Sequence, residues 1–261
     1  MTTDSALITG IVAATEEAGR ALAKRARRTP ARTMAEFRTI FDAADAPALD
    51  IIRPQLSSLR PGAAWGDELD TVPADGEQWL VDAIDGAVQY LQDLPQWSVS
   101  ATLLRDGRPV VAVLHNPGLA ETYAGVAGGG ATRNGAPIAP SAKTDLSAAL
   151  FATSQPPFAG RDPEAVRRSG ASLASVLLVA GAVRNLGPTS WQVADVASGR
   201  LDGFWGFGVD DGNLLGAALI AREAGATVTD RHGHPWTAGA DSIVAAPPQL
   251  HEALLAAVAR H

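Results

Sequence analysis

The sequence predicts a layered α/β or α+β fold, because segments with helical spacing and segments typical of strands alternate along most of the chain. Its 261 residues suffice for one large domain or for two lobes that share a core. Apolar residues make up 46% of the chain and charged residues 19%, proportions that are ordinary for a folded globular protein. Because the pattern changes near residue 140, we predict an N-terminal α+β lobe over residues 1–140 and a C-terminal α/β lobe over residues 141–261.

The composition disfavours several classes of function. The net charge of −7 disfavours binding to nucleic acid or to an anionic membrane surface. The lack of cysteine excludes disulfides, thiolate zinc sites and cysteine nucleophiles. No apolar run reaches the roughly 18 residues of a membrane helix. The first residues also lack the basic and apolar regions of a secretory signal. We therefore expect a cytoplasmic protein with neither a membrane nor a nucleic acid as its partner.

Two helices and several strands are predicted in the first half of the chain. Apolar residues recur at helical spacing over residues 6–28. A second helix is predicted over residues 47–59, with one proline in its first turn and a kink at another. Strand-like composition then recurs in four segments: residues 79–81, 98–104, 110–115 and 121–126. The dipeptide Asp106-Gly107 is typical of a β-hairpin turn, so it predicts that the second and third of these strands pair.

Helices and strands also alternate in the second half. Helices are predicted over residues 190–198, 214–224 and 249–260, and strands over residues 204–209, 226–229 and 242–245. The apolar run over residues 173–179 is short, and its periodicity does not decide between a strand and the end of a helix.

Two carboxylates follow the first predicted strand. Residues 79–81 have the composition of a buried strand, and Asp82, Asp85 and Gly86 come after them. Carboxylates at the mouth of an apolar strand are costly unless a cation lies between them. A turn at Gly86 could aim both side chains and the Ile84 carbonyl at one hard cation such as Mg²⁺, which prefers oxygen ligands. The alternative is that Asp82 or Asp85 caps a helix that begins near Gly86.

Residues 79–90 resemble the first signature of the inositol monophosphatase family of Mg²⁺-dependent phosphatases. That signature is approximately W-x-I-D-P-I-D-G-T-x-N-F, and this chain has W-L-V-D-A-I-D-G-A-V-Q-Y. Other motifs of the family are matched in order: G-E-E by residues 66–68, S-I-G by residues 98–100, G-A-x-x-N-G by residues 130–135, E-A-G-G by residues 223–226 and the last strand by residues 241–247. The matches run from roughly residue 40 to the end, so the resemblance covers most of the chain.

The resemblance implies an αβαβα layered fold, often assembled as a homodimer, and hydrolysis of a phosphate monoester without a covalent intermediate. It also implies that Mg²⁺ is held by Asp82, the Ile84 carbonyl and Asp85. The family's upstream ligand falls on Asp67, whose side chain is one carbon shorter than glutamate, so the neighbouring Glu68 is the alternative ligand. Asp67, Glu68, Asp82 and Asp85 form the candidate catalytic set.

The resemblance also identifies residues on the phosphate side. It places the backbone amides of Gly86 and Ala87 against the phosphate at a helix N-terminus. Ala87, however, stands where the family has a threonine whose hydroxyl helps to activate the attacking water. With alanine there, Asp67 or Glu68 alone, or a metal-bound hydroxide, would have to suffice.

A second departure falls on the helix predicted over residues 214–224. Asn213 stands where the family has an aspartate that ligates a second metal. An amide oxygen binds a cation without contributing charge, so this position is expected to be a weaker ligand. Asp210 and Asp211 are the alternative ligands from the preceding loop. The other interpretation of these two residues is a loop that caps the helix.

The third departure concerns the substrate. The acid that contacts the sugar ring in inositol-specific members falls on Gly206, so inositol phosphate is not a safe expectation. Residues 187–190 lie where the family has its substrate-side loop, so Thr189 and Ser190 are candidate substrate contacts, as is Asn213. For Thr189 and Ser190, the alternative is a helix N-cap.

These observations leave three hypotheses. The leading one is Mg²⁺-dependent hydrolysis of a small phosphate monoester. The second is a catalytically attenuated or inactive family member that binds a ligand or a partner. The third, a reaction other than hydrolysis in the same pocket, has no residue that specifically favours it.

Overall fold

A computed structural model describes residues 4–24, 31–66, 75–155 and 159–259. Its helices are α1 (Ile8–Ala23), α2 (Met34–Leu59), α3 (Ala87–Leu91), α4 (Pro163–Leu177), α5 (Thr189–Ala197), α6 (Asp211–Glu223) and α7 (Pro248–Val258). Its strands are β1 (Ala64–Gly66), β2 (Glu77–Asp85), β3 (Ser98–Arg105), β4 (Arg108–Asn116), β5 (Glu121–Val126), β6 (Gly130–Arg133), β7 (Ala136–Pro137), β8 (Leu150–Ser154), β9 (Ala182–Arg184), β10 (Gly203–Phe207), β11 (Thr227–Thr229) and β12 (Ser242–Ala246).

The strands form two sheets. The first sheet contains β1 to β7 in chain order, and all its neighbours are antiparallel except β1 and β2. The second sheet has the order β11-β12-β10-β8-β9, with β10, β8 and β9 parallel to one another. The parallel strands need crossover connections, and α4 and α5 provide them.

The helices and sheets stack in five layers. Helices α1 and α2 cover one face of the first sheet. Helices α5 and α6 lie between the two sheets, and α4 and α7 cover the outer face of the second sheet. Each interface between layers is an apolar cluster, as expected when helices and sheets bury one face against a neighbour. The αβαβα fold expected from the sequence is confirmed.

The predicted boundary after residue 140 stays a prediction. The first sheet lies wholly before this point and the second sheet wholly after it. The central apolar cluster contains residues from both sheets, so they share a core across α5 and α6. Within the described ranges, no helix combines the length and the apolar character needed to cross a membrane.

Helix α2 begins well before the predicted start at Pro47. The Thr33 hydroxyl accepts a hydrogen bond from the Glu36 amide at 3.2 Å, and the Glu36 carboxylate accepts one from the Arg32 amide at 2.7 Å. These reciprocal bonds form a cap that starts the helix at Met34. The prediction was wrong because it treated a proline as the start. Both prolines lie inside the helix.

The other elements follow the sequence pattern more closely. The turn residues Asp106 and Gly107 have φ angles of 50° and 72°, which suit the tight hairpin between β3 and β4. Helix α1 ends at Ala23, earlier than predicted, and residues 25–30 lie outside the described ranges. The ambiguous run over residues 173–179 forms the end of α4 and the turn after it. The apolar pattern of the sequence did not predict strands β8 and β9.

The E-A-G-G-like motif, residues 223–226, connects α6 to the first sheet. Both carboxylate oxygens of Glu223, at the end of α6, accept hydrogen bonds from the turn between β5 and β6. The amides of Gly128 and Gly130 donate them at 2.8 and 2.9 Å. Gly225 then ends the helix with a φ of 100°, which a side-chain-bearing residue rarely adopts. This motif therefore holds α6 in place over the sheet that carries the two carboxylates of β2.

Candidate active site

The candidate site lies at the carboxyl end of β2. Asp82 is half-buried there, and Asp85 is 3% exposed. Residues three apart in a regular strand point to opposite faces. The register of β2 against β3 shifts between Asp82 and Asp85, because Asp82 lies opposite Ser100 and Asp85 lies opposite Ser98. This bulge inserts one extra residue, so both carboxylates can serve the same site.

Each carboxylate has a defined set of donors. Asp82 Oδ1 accepts a hydrogen bond from the Ile84 amide at 2.8 Å, which orients the side chain over its own turn. Asp85 Oδ2 accepts a hydrogen bond from the Ser98 hydroxyl at 3.1 Å. The same oxygen accepts a bond from the Ser190 hydroxyl, on α5. The end of β2 is thus hydrogen-bonded both to the neighbouring strand β3 and to α5, which lies between the two sheets.

Gly86 makes the sharp turn after the second carboxylate. Its φ is 93°, and an added Cβ would lie 3.1 Å from the Gln96 carbonyl oxygen and 3.3 Å from the Trp97 Cα. Ala87 then begins α3, which has only five residues. Such a short helix contributes little dipole, but its first amides have no partner within the helix and remain hydrogen-bond donors.

The substrate-side loop precedes α5. Pro188, in a cis peptide bond with Gly187, occupies the N-cap position, so neither Thr189 nor Ser190 is the cap that the sequence left as an alternative. Ser190 is 1% exposed and bonds to Asp85, away from the open surface. Thr189 instead lines a shallow pocket, whose walls also include Ser154, Gln155, Gly206 and Asp210.

The start of α6 contains the three residues considered for the second metal position. Asn213 donates a hydrogen bond through Nδ2 to Asp210 Oδ1 at 2.7 Å. Both oxygens of Asp211 accept from the Gly239 amide, at 2.8 and 2.9 Å, and burial raises the pKa of this carboxyl. Asp210 occupies the N-cap position of α6 without capping the helix through its side chain. Asp210 also lines the Thr189 pocket.

The aromatic residues around Gly206 belong mainly to the core. Phe204 and Trp205 are fully buried, and the Trp205 indole donates to the Ser172 hydroxyl at 2.8 Å. Phe204 and Phe207 also contribute to the pocket wall beside Gly206. Gly206, which stands where inositol-specific members of the family have an acid, therefore leaves its part of the pocket wall uncharged.

The donors present suit a hard cation. The described part of the site offers two carboxylates, and Mg²⁺ commonly takes one or two carboxylates and keeps several waters. Among the described residues, no group of three or more histidine, aspartate and glutamate side chains is placed to hold a metal. Asp67 and Glu68, the predicted upstream pair, lie outside these residues.

Sequence reasoning missed the two serines as partners of Asp85. Ser98 lies directly opposite Asp85 in the antiparallel pairing of β2 with β3, a pairing that the sequence did not predict. The sequence named Ser190 only as a substrate contact or cap. Its bond to Asp85 joins residues 105 positions apart and has no local signal.

Comparison with known proteins places this site in a family. The sequence model of the inositol monophosphatase family matches residues 4–261. The chain is 34% identical over 218 residues to an inositol-1-monophosphatase of Mesorhizobium japonicum, covering 82% of this chain and 81% of that protein. It is 30% identical over 184 residues to a putative Nus factor SuhB of Neisseria meningitidis serogroup B, covering 70% and 69%.

A solved structure supports the same assignment. The inositol monophosphatase from Anabaena superposes with a TM-score of 0.82 at 26% identity, covering 99% of this chain and 96% of that one. The family is generally metal-dependent, and its members support a phosphatase function for this chain. The chain therefore belongs to the inositol monophosphatase family.

Proposed function

We propose that this protein hydrolyses a small phosphate monoester with Mg²⁺ held by Asp82, the Ile84 carbonyl and Asp85. The observation that carries the proposal is the pair of carboxylates at the end of β2, separated by a bulge and followed by the Gly86 turn. The family assignment supports it, because a relative that is 34% identical over 218 residues is named as an inositol-1-monophosphatase.

The protein's residues would each have a distinct role in this reaction. Asp82 and Asp85 supply negative oxygens that the surrounding donors hold in position. A bound Mg²⁺ supplies charge neutralisation and a more acidic water. Asp67 or Glu68 provides the upstream ligand and accepts the proton of the attacking water. Asn213 adds an uncharged amide oxygen, so a second cation would bind more weakly.

The phosphate and the alcohol of the substrate would lie on opposite sides of Asp85. The amides of Gly86 and Ala87 donate to the phosphate oxygens. Thr189 and Asn213 form the remaining substrate side, whereas Ser190, which the sequence also named as a substrate contact, is buried and donates to Asp85. Because Gly206 leaves an uncharged position in the wall of the Thr189 pocket, the proposal extends to small sugar, nucleotide and histidinol-type phosphates rather than to inositol phosphate alone.

Phosphate release from a panel of small phosphate monoesters tests the proposal. The wild-type chain is assayed with Mg²⁺, with Mn²⁺ and with a chelator, beside Asp85→Asn and the control Asp50→Asn, which removes an exposed carboxylate on α2. We expect metal-dependent release that Asp85→Asn lowers by about 100-fold or more and the control leaves unchanged. Equal release by wild type and Asp85→Asn on every substrate would reject the proposal.

A second candidate function is an attenuated family member that binds a ligand or a partner. It is favoured by Ala87 and Asn213, which replace two groups used by the family for hydrolysis, and by a relative named as a putative Nus factor. The double variant Ala87→Thr, Asn213→Asp separates the candidates. A large gain in turnover indicates machinery lost from this chain, whereas a drop indicates chemistry adapted to the present residues.

We also propose that the protein is a cytoplasmic homodimer that does not bind nucleic acid. The family resemblance supports the dimer, and the net charge of −7 argues against direct binding to a polyanion. Sedimentation equilibrium tests whether the chain is a homodimer. Titration of labelled RNA at low salt tests whether it binds nucleic acid. A monomer across the micromolar range, or tight RNA binding, would contradict them.

A further inference from the structure

Two hydroxyls from different layers meet on a single oxygen of Asp85. Ser98, at the start of β3, and Ser190, in the first turn of α5, both donate to Oδ2. The two serines are 0% and 1% exposed, and Asp85 is 3% exposed. Because water has little access here, these bonds are stronger and more directional than they would be at a surface.

The Ser190 bond is not the local bond that a serine in a helix usually makes. Serine hydroxyls inside helices commonly bond back to a carbonyl of the preceding turn, but Ser190 is the second residue of α5 and has no such turn before it. Ser190 instead reaches a residue 105 positions earlier in the chain. Gly187, in the loop before α5, also lies close to α3, because a Cβ added there would overlap the Gln89 amide. The substrate-side loop is therefore packed against the carboxylate turn at two points.

We propose that Ser98 and Ser190 are positioning residues that hold Asp85 for cation binding, an inference that rests on the proposed function. A carboxylate oxygen has two lone pairs, and two hydroxyl donors occupy both of those on Oδ2. These two bonds therefore fix the plane of the Asp85 carboxylate. Outer hydrogen bonds of this kind orient metal ligands and strengthen binding.

Titration of the full-length chain with Mn²⁺, followed by the electron paramagnetic resonance signal of the free ion, tests the inference. The variants are Ser190→Ala and Ser98→Ala, with Ser190→Thr as the conservative change. The matched control is Ser172→Ala, which removes another buried serine that bonds to Trp205 away from Asp85. Circular dichroism and urea unfolding establish that every variant is folded.

We expect Ser190→Ala and Ser98→Ala each to raise the Mn²⁺ dissociation constant by about 10-fold or more. Ser190→Thr retains the hydroxyl, so it should recover most of the affinity, and Ser172→Ala should bind Mn²⁺ as the wild type does. Folded Ser190→Ala and Ser98→Ala variants with wild-type affinity would overturn the inference, as would an equal loss in Ser172→Ala.

The outcomes distinguish this inference from the function on which it rests. If the wild-type chain binds Mn²⁺ and hydrolyses phosphate monoesters while both serine variants bind equally well, the positioning role alone fails. If the wild-type chain binds no Mn²⁺, the proposed function and the positioning role fail together.

Discussion

Replacing the buried Asp195 by asparagine is expected to remove a pH-dependent loss of stability. Asp195 lies on α5, and its side chain is 13% exposed. The Tyr123 hydroxyl donates to its Oδ1 at 2.8 Å, and the Arg200 guanidinium is 3.7 Å away. Burial nevertheless raises the pKa of Asp195 from 3.8 to about 6, and the nearby Glu121 carboxylate adds to the increase.

The sign of the effect follows from proton linkage. The folded state binds the Asp195 proton more tightly than the unfolded state, so protonation of Asp195 stabilises the folded state. This contribution to the free energy of unfolding is complete below pH 3.8. It is lost as the pH rises through about 6. A pKa difference of about two units corresponds to about 3 kcal/mol in the free energy of unfolding. Because the side chain keeps some contact with water, we expect about 2 kcal/mol.

Urea unfolding from about pH 4 to about pH 7 measures this contribution. Asparagine keeps an acceptor for the Tyr123 hydroxyl and does not ionise. The free energy of unfolding of wild type minus that of Asp195→Asn should therefore fall by about 2 kcal/mol across the range. Asp50→Asn, which removes an exposed charge, controls for general charge effects. If the free energy of unfolding of wild type minus that of Asp195→Asn stays constant or rises with pH, the raised pKa of Asp195 is refuted.

Two further predictions concern the packing of α6. A Cβ added at Gly216 would overlap the Thr102 hydroxyl on β3, so Gly216→Ala should lower the free energy of unfolding by about 1–3 kcal/mol. Gly170→Ala in α4, with nothing within 4 Å of the added atom, is the control, and an equal loss there would contradict the packing argument. Glu223→Ala should cost about 1 kcal/mol in urea unfolding, because it leaves two turn amides without their acceptor, and Glu223→Gln should cost less. Equal losses in the two Glu223 variants would contradict this expectation, because they would mean that the acceptor oxygen kept by glutamine contributes nothing.

Features encoded over a few residues were predictable from the sequence. The Asp106-Gly107 turn and helices α5 and α7 depend on local turn chemistry and on apolar spacing. The start of α2 also had a local signal, the pairing of Thr33 with Glu36, but the prolines were given more weight. Strand β8 was missed because a five-residue buried strand has no periodicity that separates it from other short apolar runs.

The sequence by itself determined the family, the layered fold and the two carboxylates of β2, because these depend on residue type and order. Only the tertiary structure decided that Asp85 is held by Ser98 and Ser190, and that Asp211 bonds to the Gly239 amide while Asp210 faces the pocket. These contacts join residues far apart in the chain. Their geometry depends on how the layers pack, and no local pattern records that packing.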